Sequence, residues 1–400
     1  MLNFYSELLF YGLAPVALAF YRFLSPKLSS GWRGGLLALI SLPFLLLLKG
    51  GAEFVLPQTL CVALLWVGIS RVRAGGAAWP WVTGLVLLQL LAKHPASLAW
   101  LPFLDLKALG LAGWGWMGFS YFVFRAIDAL LAAKRRDFAA GAGQTAALGL
   151  YFVPYVSGPI NRIGSLARDL AAPDAPLTFL RVRAALIRAC LGIVKMLFLA
   201  KWAYFLSVAS PDFRDGRLPG LPGLVVGAWA YYLYIYFDFS GYTDVAIALS
   251  GLFGVNLPEN FNKPFLSANI QEFWNRWHMT LSGWFRDHLF FPALKTLRAR
   301  LPRLHPQAAQ AGALFFTFFT MGAWHGDGLN WMAYGLFHGL SMTLWALKRW
   351  LEDSLAPVFF GTLRENRIYR LACMVFTFNY VSFGLLLMLD FKTLRELLAG

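Results

Sequence analysis

The sequence predicts an all-α polytopic membrane protein, and three observations predict it. Of the 400 residues, 58% are hydrophobic and only 14% are charged, whereas soluble domains carry about 25% charged residues. Long apolar blocks recur along the whole chain, at residues 36–48, 59–69, 110–133, 184–210, 224–239, 311–321 and 371–389. The basic residues, which give a net charge of +15, collect in the gaps: 22–33, 71–73, 134–136, 162–188, 276–303 and 348–370. A helix needs roughly 20 apolar residues to span a bilayer, so about eight to eleven spans fit. Several blocks are shorter or are interrupted by Pro or Gly, which predicts re-entrant or broken helices.

Short loops rich in Lys and Arg stay on the cytoplasmic side. The basic clusters are therefore expected inside and the N-terminus outside, in a multi-pass protein of the cytoplasmic (inner) membrane. No cleaved signal peptide is expected, because the first apolar run lacks a basic start and a small-residue cleavage site. A basic inner face attracts anionic lipid headgroups or an acidic cytosolic partner, and nucleic acid is not expected as a partner. Cys61, Cys190 and Cys373 stand apart from one another and read as apolar thiols.

Taken in order, residues 1–105 read as peripheral spans joined by short loops. Pro43, Pro57, Pro80 and Pro95 mark kinks or ends, and His94 is an ordinary surface histidine. In residues 119–128, FSYFVFRAID, Arg125 and Asp128 sit three apart on one helical face. Charges within a span are costly and tend to pair, so the two are expected to pair with each other. Residues 151–164 carry Pro154, Gly158 and Pro159, too much disruption for a spanning helix. They read as a re-entrant or cavity-lining turn whose freed backbone groups the protein must satisfy. In the tyrosine-rich block that follows, Asp238 and Asp244 lie six apart and so on different helical faces. No third ligand stands at metal spacing, and structural hydrogen bonding is expected of both.

Residues 260–294 hold three Trp and two His. Read as one helix from Ile270, the segment places Ile270, Phe273, Trp274, Trp277, Leu281, Trp284, Phe285 and Leu289 on one face. Glu272, Asn275, Arg276, Ser282, Arg286 and Asp287 take the other, with His278 at the rim. Such a helix lies along an interface or seals a cavity instead of crossing lipid. A second polar pole is Gly322–Gly328, containing Trp324, His325 and Asp327, between apolar runs at 311–321 and 331–347. Eleven residues rise only about 16 Å as a helix, so a hairpin of that size leaves His325 within the membrane thickness, where a histidine is a candidate for function. His338 follows on the return helix.

Histidine is the usual general base for a hydroxyl. His278 and His325, each beside a Trp in a polar break, could meet on folding and deprotonate an alcohol. No G-x-S-x-G elbow is present, so direct attack of the hydroxyl on a bound acyl donor is the simpler mechanism. No metal is expected, since His278, His288, His325 and His338 lack ligand spacing. A proton-coupled transporter or flippase using intramembrane His and Asp is the non-enzymatic alternative.

Five segments carry a resemblance: SYFVFRA (120–126), VPYVSGPINR (153–162), FDFSGYTDVAIALSGLFG (237–254), PENFNKPFLSANIQEFWNRWHMTLSGWFRDHLF (258–290) and MGAWHGDGLNWMAYGLFHG (321–339). With these the chain resembles the membrane-bound O-acyltransferase family, in the branch of teichoic-acid D-alanyl transferases and alginate-type O-acetyltransferases. Residues after His325, Asp327-Gly328-Leu329, depart from the usual continuation of either group. The resemblance implies one membrane domain over 1–400, with a catalytic core at 115–345 and a C-terminal basic loop and span at 346–400. It also implies a ring of tilted and re-entrant helices around a central tunnel. His325 would be the general base and His278 would orient donor or acceptor. Trp274, Trp277, Trp324, Asn275 and His338 would line the passage, with Arg276 or Arg286 toward phosphates. The implied reaction moves an acyl group, D-alanyl first, from a thioester to a hydroxyl of an envelope polymer or glycan. The donor is a substrate, phosphopantetheine-linked to an acidic acyl carrier protein or another acyl-thioester, and no bound cofactor is expected. Acetyl transfer to an exported polysaccharide is the alternative.

Overall fold

In a computed structural model, which describes residues 4–48, 51–93, 118–137, 140–213, 220–326 and 328–399, all regular structure is helical and no strand occurs among the described residues. Helices satisfy their own backbone groups where no water reaches them. His94, the beginning of the 110–133 block and Asp327 lie outside the described residues. The chain packs as two compact units, residues 1–191 with 242–258, and residues 192–241 with 259–400.

The first unit contains α1 (Phe4–Leu24), α2 (Ser30–Leu47), α3 (Gly51–Arg73), α4 (Trp79–Lys93), α5 (Phe119–Arg135), α6 (Ala142–Leu150), α7 (Ile163–Ala171) and most of α8 (Phe179–Val194). The second contains α9 (Ala200–Phe205), the larger part of α10 (Gly220–Leu252), α11 (Ile270–Arg276), α12 (Met279–Phe285), α13 (Phe291–Arg300), α14 (Pro306–His325), α15 (Leu329–Leu355), α16 (Pro357–Glu365), α17 (Arg367–Leu385) and α18 (Phe391–Ala399). Among the described residues four helices are long and apolar enough to cross a membrane: Ser30–Leu47, Val55–Arg73, Gly220–Leu252 and Arg367–Met388. Others, such as α4 and α8, are shorter or carry charge.

In the first unit, residues 151–162 interrupt the helices between α6 and α7, as their Pro and Gly content predicts, and they are mostly buried. The protein satisfies the freed backbone groups with side chains. Phe152 N donates to Ser41 Oγ at 3.2 Å, Gln58 Nε2 donates to Gly149 O at 3.2 Å, and the Tyr242 hydroxyl donates to Val153 O at 3.1 Å. Asp244 pairs with Arg188 at 2.9 Å, a structural tie of the kind expected.

The expected Arg125–Asp128 pair does not form. Arg125 is 1% exposed and its Nε donates to Tyr121 O at 3.1 Å, one turn back on its own helix. Asp128 instead takes Arg162, at 3.9 Å, as its ion partner. A shared helical face sets two side chains near one another, but the carboxylate found its cation on the irregular segment packed against that face.

In the second unit α14 and α15 pack directly against each other. Gly322 and Gly335 make the approach possible: a Cβ on Gly335 would lie 2.9 Å from Phe318 O and 3.0 Å from the Gly322 Cα. Gly335→Val should therefore push the helices apart, at a cost of about 1–3 kcal/mol, and lower the unfolding midpoint of detergent-purified protein by several degrees. An unchanged midpoint would mean that the backbones do not touch here.

The short hairpin inferred around His325 needs correction. α14 runs for 20 residues, about 30 Å, because the helix absorbs polar residues at its start and continues through Gly322, Ala323 and Trp324. His325 is its last residue, and its depth does not follow from an eleven-residue arm.

Candidate functional site

The aromatic segment after Asn260 folds differently from a single amphipathic helix. α11 is capped by Asn269, whose side-chain oxygen accepts from Glu272 N at 2.8 Å, and ends at Arg276. Trp277 is extended and His278 adopts φ 42°, ψ 52°, the left-handed region, before α12 begins at Met279. The strand-like stretch at Asn260–Asn262 holds this break open. Asn262 N donates to Arg276 O at 3.0 Å, and Met279 N donates to Asn260 O at 2.9 Å. Hydrophobic periodicity runs straight through the junction, so the break is invisible to it.

Asn260, fully buried, is the residue that sequence reasoning missed. Its Oδ1 accepts from Thr280 Oγ1 at 2.6 Å and from Thr280 N at 3.3 Å, and stands 3.3 Å from His278 Nδ1. Because the Thr280 N–H needs an acceptor, the oxygen of the amide must be the atom facing this group. His278 Nδ1 then carries the hydrogen and donates to it, and Nε2 carries the lone pair. The signal for it in the sequence is its place in the motif PENFNKPF. Asn260→Ala removes one acceptor from three donors and should cost about 1–3 kcal/mol, read as a lower unfolding midpoint. Asn260→Asp keeps the acceptor and should lose less; equal losses would discount the oxygen.

His278 is buried, with its ring edge-on to Phe239 at 4.7 Å. It lies outside the four apolar spans, and burial pushes its imidazole down to about 3 from the ordinary 6.5. Buried away from water, the ring stays neutral at physiological pH.

His325 is the last residue of α14. It is half-buried and stacks on Trp331 at 5.1 Å and 15°. Trp324 lies at 4.6 Å and Tyr334 meets it edge-on at 5.9 Å. Gly326 is what allows Trp331 to fold back over the ring, since a Cβ there would sit 2.3 Å from the indole. Trp331, Tyr334 and His338 recur every three to four residues along α15, a spacing from which the group could have been read.

His338 is fully buried and packs against Tyr334 at 4.5 Å and Trp274 at 5.1 Å. Among the described residues neither of its ring nitrogens has a hydrogen-bond partner, and the same holds for Trp274 Nε1 and the Tyr232 hydroxyl. Buried polar atoms left in this state cost about 1–3 kcal/mol each, a cost that folded proteins seldom carry.

Ring contacts run continuously between the two predicted histidines. From His278 they pass through Phe239, Phe261, Trp277 and Phe273 to Trp274. From Trp274 they pass through His338 and Tyr334 to His325. Trp274 and Trp277 are buried in this wall, and Trp324 borders it at His325. Asn275 and Arg286 are exposed, and the cations carry carboxylate partners: Arg276 with Glu272 at 2.7 Å and Arg286 with Asp287 at 3.0 Å.

Fold and site together define a multi-pass helical membrane protein with imidazoles set in an aromatic wall. The family profile described as MBOAT, membrane-bound O-acyltransferase family, matches residues 151–352. The chain is 31% identical over 278 residues to the teichoic acid D-alanyltransferase of Bacillus subtilis, covering 67% of each chain. It is 30% identical over 288 residues to the teichoic acid D-alanyltransferase of Streptococcus thermophilus, covering 69% of this chain and 68% of that one. The protein named "Probable alginate O-acetylase AlgI" in Pseudomonas aeruginosa is 31% identical over 255 residues, 62% of this chain and 45% of its own. The chain belongs to the membrane-bound O-acyltransferase family and is an acyltransferase. This sets aside the transporter reading.

Proposed function

We propose that the protein moves a D-alanyl group from a carrier-protein thioester on the cytosolic side of the cytoplasmic membrane to a hydroxyl of an envelope polymer outside. The relatives named for teichoic acid D-alanylation, matched over about two thirds of both chains, support the acyl group. The basic clusters and net charge of +15 suit an acidic carrier protein. The observation that carries the chemistry is the placement of His325 at a helix terminus, between Trp324 and Trp331.

In this reading His325 takes the proton of the acceptor hydroxyl as its oxygen attacks the thioester carbonyl. The C–O bond forms, the C–S bond breaks, and the proton passes to the departing thiolate. His278, whose Nδ1 faces Asn260 on the turn between α11 and α12, is assigned the orientation of the acceptor and no part in moving its proton. His338, Trp274 and Tyr232 offer unpartnered polar atoms to the polar part of a bound substrate. Trp277 and Trp324 shape the passage, and no step is assigned to Asn275, Arg276 or Arg286.

The second reading, acetyl transfer to an exported polysaccharide, rests on the similarity to the alginate O-acetylase. Purified protein is to be supplied with radiolabelled D-alanyl-carrier protein or an acetyl thioester, and with teichoic acid or alginate as acceptor. Transfer of D-alanine alone to teichoic acid supports the first reading. Acetyl transfer alone to alginate replaces it with the second.

A further inference from the structure

Beyond His338 on α15, that helix and α17 flank a groove of about 970 Å³. The two helices run antiparallel along it. At one end the hydroxyls of Ser341 and Tyr380 are hydrogen-bonded; at the other Arg364 meets Glu352 at 3.6 Å. Ser341 and Glu352 are eleven residues apart, about 16 Å along a helix. That is close to half the ~30 Å hydrocarbon core, the depth of one leaflet.

The two ends differ in chemistry. The middle is apolar, lined by Leu344, Leu347, Leu351, Cys373 and Phe376. The mouth brings Lys348, Arg349, Arg364 and Arg370, with Arg276 beside them, against three carboxylates, Glu272, Glu352 and Asp353. Arg364 is held by Asp353 at 2.9 Å and Glu352 at 3.6 Å, with no hydrogen bond at Nη1, and the half-exposed Arg370 is the loosely held cation, reaching Glu272 only at 3.9 Å. α17 belongs to a helix long and apolar enough to cross a membrane, Arg367–Met388, and its Leu371 and Phe376 are 62% and 69% exposed. The groove therefore runs beside a lipid-facing surface, with its cations at the terminus of the span, where headgroups lie.

We propose that this groove binds a single anionic membrane lipid, one acyl chain between α15 and α17 and the headgroup phosphate between Arg364 and Arg370. The leaflet-length apolar slot selects a lipid chain, and the excess of cations at its mouth selects negative charge over a zwitterion. This assignment is independent of the acyl group transferred.

The full-length protein is to be exchanged between phosphatidylglycerol and phosphatidylcholine in mixed micelles and its retained lipid counted by native mass spectrometry. One phosphatidylglycerol should be retained in preference to phosphatidylcholine. A basic residue near an anionic headgroup contributes about 1 kcal/mol, a factor of roughly five. Arg364→Gln and Arg370→Gln should each weaken retention about fivefold. Leu347→Trp, which fills the slot and leaves the charges, should abolish retention of the chain. Equal retention of the two lipids, or phosphatidylglycerol held undiminished by all three variants, overturns the proposal. Displacement of the lipid by soluble phosphopantetheine would reassign the groove to the donor and overturn it as well. Unfolding midpoints of the variants, with and without added phosphatidylglycerol, separate lost binding from lost folding.

Discussion

Replacing His325 by Ala should lower acyl transfer about 10²–10⁴-fold, the range spanned by a positioned general base. The donor should still bind, because the imidazole is asked to act on the acceptor proton during attack, so the loss should fall on kcat with little change in KM for the thioester. The ring is half-buried and stacks on Trp331, so some packing goes with it. His325→Gln fills more of that space and cannot serve as the base. Both variants should keep an unfolding midpoint near that of the parent chain and both should be inactive. Transfer within a few-fold of the parent in either folded variant would remove His325 from the chemistry. A loss confined to KM would turn it into a binding residue.

The second large effect is expected at His278, where backbone and side chain can be separated. Its φ of 42° costs an ordinary residue about 1–2 kcal/mol but costs glycine nothing. His278→Gly should therefore unfold at a higher temperature than His278→Ala, while both lose transfer roughly ten- to a hundredfold. If the glycine variant transfers normally, the imidazole only occupies a turn. The pH dependence gives a second readout. With its folded value held down near 3, the ring refuses a proton that the unfolded chain takes up below 6.5. This residue therefore lowers stability as pH falls from 6.5 toward 3 and has no such effect above 6.5. Removing the imidazole should flatten that part of the stability–pH curve, and an unchanged slope would show that the ring titrates freely in the folded protein.

The residues of the site were legible to different degrees. His325 stood out because a polar Trp-His-Gly interrupts an apolar hairpin, and the break at 151–162 was plain from two prolines and a glycine in a dozen residues. The junction at His278 was not. Trp274, Trp277, Leu281 and Trp284 keep helical spacing on both sides of it, and a spacing argument cannot register one residue turned left-handed. Asn260, which fixes that turn and the tautomer of the ring, lies in a different segment of the chain. Asp128 likewise chose Arg162 over the nearer Arg125.

The sequence by itself determined that this is a helical membrane protein of the acyltransferase family, since low charge, long apolar blocks and short motifs are local properties of a chain. Tertiary structure alone decided which groups meet: the Asn260 latch, the ring contacts joining His278 to His325 through His338, and the groove between α15 and α17. Those depend on where backbones come into contact, as at Gly322 and Gly335, and contact between distant segments is a property of the packed chain that no local pattern contains.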